Sequence, residues 1–311
     1  DGVIVEDPAS RALWALVERV ARGELNVLLV GETGVGKDVV AQGIHARSAR
    51  GQGPFVAWNC AAVPIELVEN ELFGHEAGAF SGATGAKPGL VETAASGTLF
   101  LDEVGELPPA AQAKLLRVIE TREVMRLGAT RARKVDVRFL AATNRDLAAD
   151  VGKRSFRADL FYRLNGVTLH VPPLRSRRGD ILPLARAFLA GARGRPAVHL
   201  SDEAAAALAS HDFPGNVREL RQTMERALLF ADGDTIELAH LGSLASVDAP
   251  MGLGQGPGPV DSPEERARIE AALAACAGNQ SRAAKQLGMS RKAFLARLDA
   301  YGLPRPRRGR T

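Results

Sequence analysis

Eight residues, GETGVGKD at positions 31–38, have the types and spacing to hold a chain of phosphates. In such a loop the successive backbone N–H groups, here of Gly31, Glu32, Thr33, Gly34, Val35 and Gly36, converge on phosphate oxygens. The positive end of the following helix dipole helps them, and Lys37 supplies a mobile cation for the β and γ phosphates. A plain glycine-rich turn ahead of a lysine-bearing helix would show the same spacing. Asp38 stands where the general pattern has Ser or Thr to hold magnesium, so its carboxylate must be screened or turned away from a triphosphate. A second candidate is TLFLDE at 98–103, an apolar strand ending in two carboxylates. Asp102 at the strand tip can bind magnesium, often through water, and Glu103 beside it can polarise an attacking water. Acidic pairs after strands are commonly just solvated; the place of this one downstream of a phosphate loop favours a hydrolytic site. In VDVRFLAATN, 135–144, Thr143 and Asn144 would lie beside the γ phosphate if their strand sits between the other two, and otherwise simply cap a strand end. In GAFSGA, Gly78, Ala79, Ser81, Gly82 and Ala83 surround Phe80, a composition that lets a loop be projected and withdrawn at low steric cost.

These residues need elements to position them. Short apolar strands are expected at 27–30, 55–58, 98–101, 135–141 and 167–171, with helices at 10–21, 39–49 and 109–121. Apolar strands alternating with helical spacers imply a parallel sheet covered on both faces, an α/β fold whose ligands bind at the carboxyl ends of the strands. From Gly179 the pattern turns to helices only, at 181–192, 202–211, 216–231 and 236–241. This reads as an α-helical lid. Asn216 and Glu219 have the spacing of a capping box, which starts the third of these helices at Asn216 and puts Arg218 in its first turn.

The 311 residues suffice for about two domains. With 46% hydrophobic and 24% charged residues the chain reads as globular. No apolar run approaches the roughly 18 residues of a membrane span, and Asp1 opens no signal-peptide pattern, so a cytoplasmic location is expected. Cys60 and Cys276 lack metal-ligand spacing and read as idle reduced thiols.

Net charge is +4, and residues 261–311 hold 11 Lys and Arg against 5 Asp and Glu, so all of the positive surplus sits at the C-terminal end. That asymmetry fits a polyanion-binding end, or a solvated basic tail. The intended organisation is an α/β nucleotide-binding part at 1–175, a lid at 176–248, a flexible linker at 249–261, a three-helix unit at 262–303 and a basic tail at 304–311. Ser262, Pro263 and Glu265 supply an N-cap, Pro at N1 and Glu at N3 for the first terminal helix, 263–276; the others are expected at 281–287 and 291–301. Phe294, Leu295, Leu298 and Tyr301 form an inward stripe, leaving Ser290, Arg291, Lys292 and Arg297 as candidates for DNA contact. Arg305, Arg307, Arg308 and Arg310 are available for phosphates.

Seven motifs in order, GETGVGKD, ELFGHEAGAFSGA, GTLFLDEVGELP, AATNRDL, FRADLFYRLN, VPPLRSR and FPGNVREL, resemble the AAA+ ATPase domain of the sigma-54-dependent transcriptional activators, the bacterial enhancer-binding proteins. The resemblance covers about residues 3–245. The C-terminal stretch 278–303 resembles the Fis-type helix-turn-helix that ends many of them. It implies an AAA+ P-loop NTPase fold with an α-helical lid, ATP and Mg2+ as ligands, and a homo-oligomeric ring, a hexamer assembled from dimers.

The resemblance also implies residue roles. An acidic residue commonly follows the P-loop lysine in this family, so Asp38 is a mild variant. Asp102 and Glu103 match the magnesium-binding and water-activating carboxylates, and Asn59 a residue that holds the catalytic glutamate inactive until the partner is engaged. Arg157 and Arg163 match arginines that reach the neighbouring subunit's nucleotide; Arg218 matches the lid arginine that senses the γ phosphate. The Phe80 loop matches the family's GAFTGA loop, which grips sigma-54, with Ser81 in place of Thr; residues 126–134 match a second pore-side loop. The expected function is ATP-driven remodelling of the sigma-54 RNA polymerase closed complex into an open one, from upstream DNA. Two rivals remain: a DNA-binding repressor or regulator whose ATPase domain only controls assembly, and an AAA+ remodeller of a different client. The retained Phe80 loop speaks against both, and the Fis-like tail against the second.

Overall fold

The first helix, α1 (Pro8–Ala21), begins where Asp7 caps it: the Asp7 carboxylate accepts from Ala9 N, and Pro8 occupies the first turn. Ser10, Leu13, Val17 and Ala21 form its buried stripe. The computed structural model describes residues 3–80, 82–190, 198–231, 233–245 and 263–276, together with positions 280, 282, 283, 287, 294, 298, 301 and 303. The chain forms two units, Asp1–Val247 and Asp248–Thr311.

In the first unit β1 (Val27–Val30) leads through the glycine loop into α2 (Lys37–Ala46), and β2 (Phe55–Asn59) into α3 (Ile65–Phe73). A small antiparallel stem, β3 (Gly74–His75) with β4 (Lys87–Pro88), carries the Phe80 loop. After α4 (Leu90–Thr93) come β5 (Thr98–Asp102), α5 (Pro109–Thr121) and the hairpin β6 (Glu123–Val124) with β7 (Arg133–Lys134). Then follow β8 (Arg138–Thr143), α6 (Leu147–Gly152), α7 (Ala158–Leu164) and β9 (Val167–His170).

The sheet order is β2-β5-β8-β1-β9, parallel throughout. Leu99, Leu101, Phe139 and Ala141 face α3, α5 and α7, while Leu29, Phe100, Leu140 and Ala142 belong with α1 and α2. Alternation along the strands therefore feeds two cores, as a sheet covered on both faces requires. Strand β8 lies between β5 and β1, the position on which the reading of Thr143 and Asn144 depended.

The fourth strand was expected at 135–141 but runs from Arg138 to Thr143. Val135 N instead donates to Arg122 O beside the hairpin. Arg138 is a fully buried charge inside the strand, and its guanidinium donates to Val20 O, Ala21 O and Leu25 O. Val20 and Ala21 lie in the last turn of α1, where carbonyls lack intrahelical partners.

Two helices meet closely at Gly43. A Cβ there would lie 2.4 Å from the Trp14 ring, whose face also carries the Arg47 guanidinium 4.9 Å from its centroid. Overpacking of this kind costs roughly 1–3 kcal/mol, against about 1 kcal/mol gained by replacing Gly with Ala in a helix. Gly43→Ala should therefore lower the urea midpoint at unchanged m-value; an unchanged or higher midpoint would show that the Trp14 ring yields.

The lid has its own core around Leu174, Ile181, Leu208, Phe213, Leu220 and Met224. It comprises α8 (Ile181–Ala190), α9 (Asp202–Ser210), capped by Ser201, and α10 (Asn216–Phe230). The all-helical expectation is corrected at one point: β10 (His199–Leu200) pairs in parallel with β11 (Thr235–Ile236), and a 3-10 segment follows at Leu238–Ala245. Asp180, wholly buried, ties the start of the lid to the segment ahead of α1. It accepts from Glu6 N at 2.9 Å, Asp7 N at 2.8 Å and the Ser10 hydroxyl, while Asp7 accepts from Gly179 N at 3.0 Å.

In the second unit α11 (Pro263–Ala275) buries Ile269 and Ala272 with Ala283, Phe294 and Leu298, and Tyr301 packs against this cluster. Phe294, Leu298 and Tyr301 thus face inward as expected. Leu295, the linker, the basic tail and the DNA-contact candidates Ser290, Arg291, Lys292 and Arg297 lie outside the described residues.

Candidate nucleotide site and Phe80 loop

At the carboxyl end of β1 the loop curls through left-handed backbone at Gly34 and Gly36, φ +79° and +96°. Only glycine adopts such angles at little cost. Lys37 is buried; its ammonium donates to Gly31 O at 3.0 Å and Glu32 O at 3.4 Å and lies 3.7 Å from Glu103 Oε1. Asp38 is exposed on the first turn of α2.

Glu103 has φ 51° and ψ 49°, an uncommon conformation for a non-glycine residue. Two successive side chains at a strand end would ordinarily point to opposite faces. The left-handed turn breaks that alternation and delivers the second carboxylate to Lys37. Glu103 Oε2 also accepts from Asn144 N at 3.3 Å, and Asp102 Oδ1 accepts from Glu103 N at 3.0 Å. Burial, and next the charge of Glu103, push the Asp102 carboxyl above its ordinary range despite Lys37. A half-buried carboxylate crowded by negative charge is the setting that a divalent cation relieves.

Asn59 was expected on Glu103. Its amide Nδ2 lies 3.4 Å from Asp102 Oδ2, and its Oδ1 accepts from Ala61 N. The reason is register: Asn59 pairs directly opposite Asp102 in the β2–β5 ladder, and Glu103 has already turned away. Thr143 likewise departs from expectation. It is wholly buried and its hydroxyl accepts from Arg145 N at 3.0 Å, so it caps its own turn. Asn144, directly after β8, is exposed and donates to Thr33 Oγ1 at 3.0 Å, which brings its side chain to the phosphate loop.

Arg157 is the N-cap residue of α7 and Arg163 lies in its last turn, both on the surface. Arg157 pairs with Asp159 and Arg163 with Glu120 at 3.2 Å. Tyr162 between them is 74% exposed. Among the described residues, neither arginine bonds to positions 31–38. Arg218 is exposed on α10, and its backbone N donates to Gly34 O at 3.3 Å.

Phe80 is 46% exposed at the head of its loop, 5.0 Å edge-on from the buried His75 ring. Gly78 N donates to Ala83 O at 2.8 Å and Ala83 N to Phe80 O at 3.0 Å, with left-handed Gly78 and Gly82 at the bends. Ser81 lies outside the described residues. The second loop, 126–134, adjoins it: Glu76 N donates to Leu127 O, and Arg126 and Arg133 bridge Glu76 to Glu92. Glu92 is held below the usual carboxylate range, chiefly by its hydrogen bonds from Arg126.

Residues 3–170 match the Sigma-54 interaction domain family, 175–250 the AAA+ ATPase lid domain, and 263–301 the bacterial regulatory proteins of the Fis family. The chain belongs to the sigma-54-dependent transcriptional activators. The sigma54-dependent transcriptional activator SfnR of Pseudomonas putida is 44% identical over 96% of this chain and 88% of its own length. The transcriptional regulatory protein ZraR of Escherichia coli K12 is 46% identical over 96% of this chain and 68% of its own. Crystal structures of NtrX from Brucella abortus, in complex with ATP and with ADP, superpose with TM-scores of 0.74 at 33% identity, covering 97% of this chain and 70% of theirs.

The activator also contains site residues that motif spacing did not single out for their side chains. Glu32, inside the phosphate loop, is fixed by two hydrogen bonds from Arg175, one of 2.8 Å, and by one from Asn216 Nδ2 at 3.0 Å. These bonds, those from Arg175 first, lower the Glu32 carboxyl to about 2. Asn216 is therefore not the helix cap that the capping-box spacing implied. The cap position of α10 is Gly215, and Glu219 accepts from Gly215 N at 2.7 Å while the Asn216 side chain turns inward.

Proposed function

We propose that this activator binds ATP with Mg2+ at the loop 31–38, hydrolyses it as a closed ring of identical subunits, and uses the stroke to turn sigma-54 RNA polymerase closed complexes into open ones. The observation that carries the proposal is the Phe80 loop, mounted on its own stem and ion-paired through Glu76 to the second loop, in the same α/β body as the Lys37, Asp102 and Glu103 cluster. Backbone N–H groups of the loop and Lys37 bind the phosphates; Glu103 accepts a proton from the attacking water; Asn144 and Arg218 orient the γ phosphate. A magnesium ion held by Asp102 supplies charge neutralisation on the phosphates when bound.

Arg157 and Arg163 complete the neighbouring subunit's site. They fit that role because their guanidinium groups are exposed and face partners that a phosphate can outcompete, and guanidinium stays charged while offering a fork of donors. Sites completed in trans require a head-to-tail interface that closes, which supports a ring, here a hexamer assembled from dimers. Ser290, Arg291, Lys292 and Arg297 would hold it on upstream double-stranded DNA. No helix among the described residues is long and apolar enough to cross a membrane; a role on DNA with RNA polymerase supports a cytoplasmic location.

Phe80→Ala tests the proposal. The variant should hydrolyse ATP at nearly the wild-type rate, because Phe80 lies outside the phosphate motifs, yet form no open complexes with sigma-54 holoenzyme. Wild-type protein should form them with ATP and not with a non-hydrolysable analogue. Normal promoter opening by Phe80→Ala would favour a regulator whose ATPase domain only controls assembly.

A further inference from the structure

Three consecutive residues of the lid bind three consecutive residues of the phosphate loop. Asn216 Nδ2 donates to Glu32 Oε2 at 3.0 Å and to Thr33 O at 3.1 Å; Val217 N and Arg218 N both donate to Gly34 O, at 2.9 and 3.3 Å. Asn216 Oδ1 accepts from Leu174 N at 2.8 Å, in the segment that joins the sheet to the lid. One wholly buried side chain thus ties together the loop, the junction and the lid helix. A Cβ on Gly34 would lie 2.5 Å from Gly215 O, so the approach leaves no space for a larger residue.

We infer that Asn216, Glu32 and Arg175 form a latch of positioning residues that sets where Arg218 meets the γ phosphate. The inference rests on the proposed role of Arg218. The chemistry of each member suits the task. Asn216 sits at φ 55°, a left-handed angle that Asn tolerates better than most residues. It alone among residues of its size offers an acceptor for Leu174 N–H and donors for two oxygens. Asp would keep the acceptor, lose both donors and oppose a second carboxylate to Glu32; Gln is too long for the same span. Glu32 stays ionised through the working range and, gripped by the Arg175 fork, gives Asn216 a fixed anionic partner. Because Arg218 directly follows this clamped backbone, loosening the latch moves its guanidinium relative to the loop without removing it.

The test compares Arg175→Ala, Asn216→Asp, Arg218→Ala and the Arg175→Ala/Arg218→Ala double variant in the full chain. It reads kcat, KM and the affinity ratio of a non-hydrolysable ATP analogue to ADP. Arg175 is 41% exposed, so its removal should leave the melting temperature nearly unchanged and keep the test valid should Asn216→Asp fail to fold. The latch variants should lower kcat roughly 10- to 100-fold, as expected for a misplaced group. They should also bring the affinity ratio toward that of Arg218→Ala, and the double variant should be no worse than Arg218→Ala alone. Latch variants that keep the wild-type ratio while Arg218→Ala loses it would overturn the latch and leave the Arg218 assignment standing. Multiplicative losses in the double variant would also overturn it. A wild-type ratio in Arg218→Ala would overturn both.

Discussion

Glu103→Gln protein should bind ATP and Mg2+ as wild type does and hydrolyse the nucleotide about 10²- to 10⁴-fold more slowly, the range expected when a general base is lost. Binding survives because its determinants lie elsewhere: Lys37 keeps its bonds to Gly31 O and Glu32 O, and Asp102 keeps its carboxylate. Gln retains an oxygen for Asn144 N–H, so the left-handed turn at 103 keeps its tether. What disappears is the proton acceptor. The measurement is nucleotide affinity by titration beside steady-state hydrolysis. If affinity falls together with hydrolysis, Glu103 supports the site's architecture and some other group activates the water.

Arg163→Ala should abolish hydrolysis as well, by roughly 10³-fold or beyond if the guanidinium stabilises charge on the transferring phosphoryl group. The same variant should leave nucleotide binding by single subunits intact, since Arg163 makes no bond to its own phosphate loop and its pair with Glu120 is solvent-exposed and worth little. Lys37→Ala protein should be inactive for the opposite reason, a pocket that holds no nucleotide beside an intact arginine. Mixing the two should restore part of the activity, because some junctions in a mixed ring join a competent pocket to a competent arginine. Mixed rings that form and yet show no recovery at any ratio would remove the trans assignment.

The strands, the phosphate loop and the acidic pair were legible because each is a local pattern: an apolar run followed by glycine or carboxylate. The misplaced start of β8 shows where that reading stops. The apolar run continues back through Val137 and Val135, but Val135 N donates to Arg122 O. The carbonyls of Val20, Ala21 and Leu25, more than a hundred positions away, make Arg138 at home in the core. Strand β11 is two residues long, too short for any periodicity, and exists because β10 lies beside it. Asn216 carried a true signal with the wrong meaning, for the spacing to Glu219 marks the helix start while the side chain serves a contact with Glu32 that sequence separation hides. Asn59 and Thr143 were placed at the right strand ends, but ladder register and burial, neither visible in spacing, decided which neighbours they meet.

The Asp180 clasp bears on the order of assembly. Its bonds to Glu6 and Asp7 span 174 and 173 positions, and closing a flexible loop of that length costs about 4–5 kcal/mol of chain entropy. Once β9 pairs with β1 most of that entropy has been surrendered, and only the short run from Val171 to Asp180 is left to settle. The clasp is therefore inexpensive to form but cannot form early. In synthesis from the N-terminal side, residues 3–7 emerge well before the lid residue that clasps them and find their final place only after Asp180 has followed.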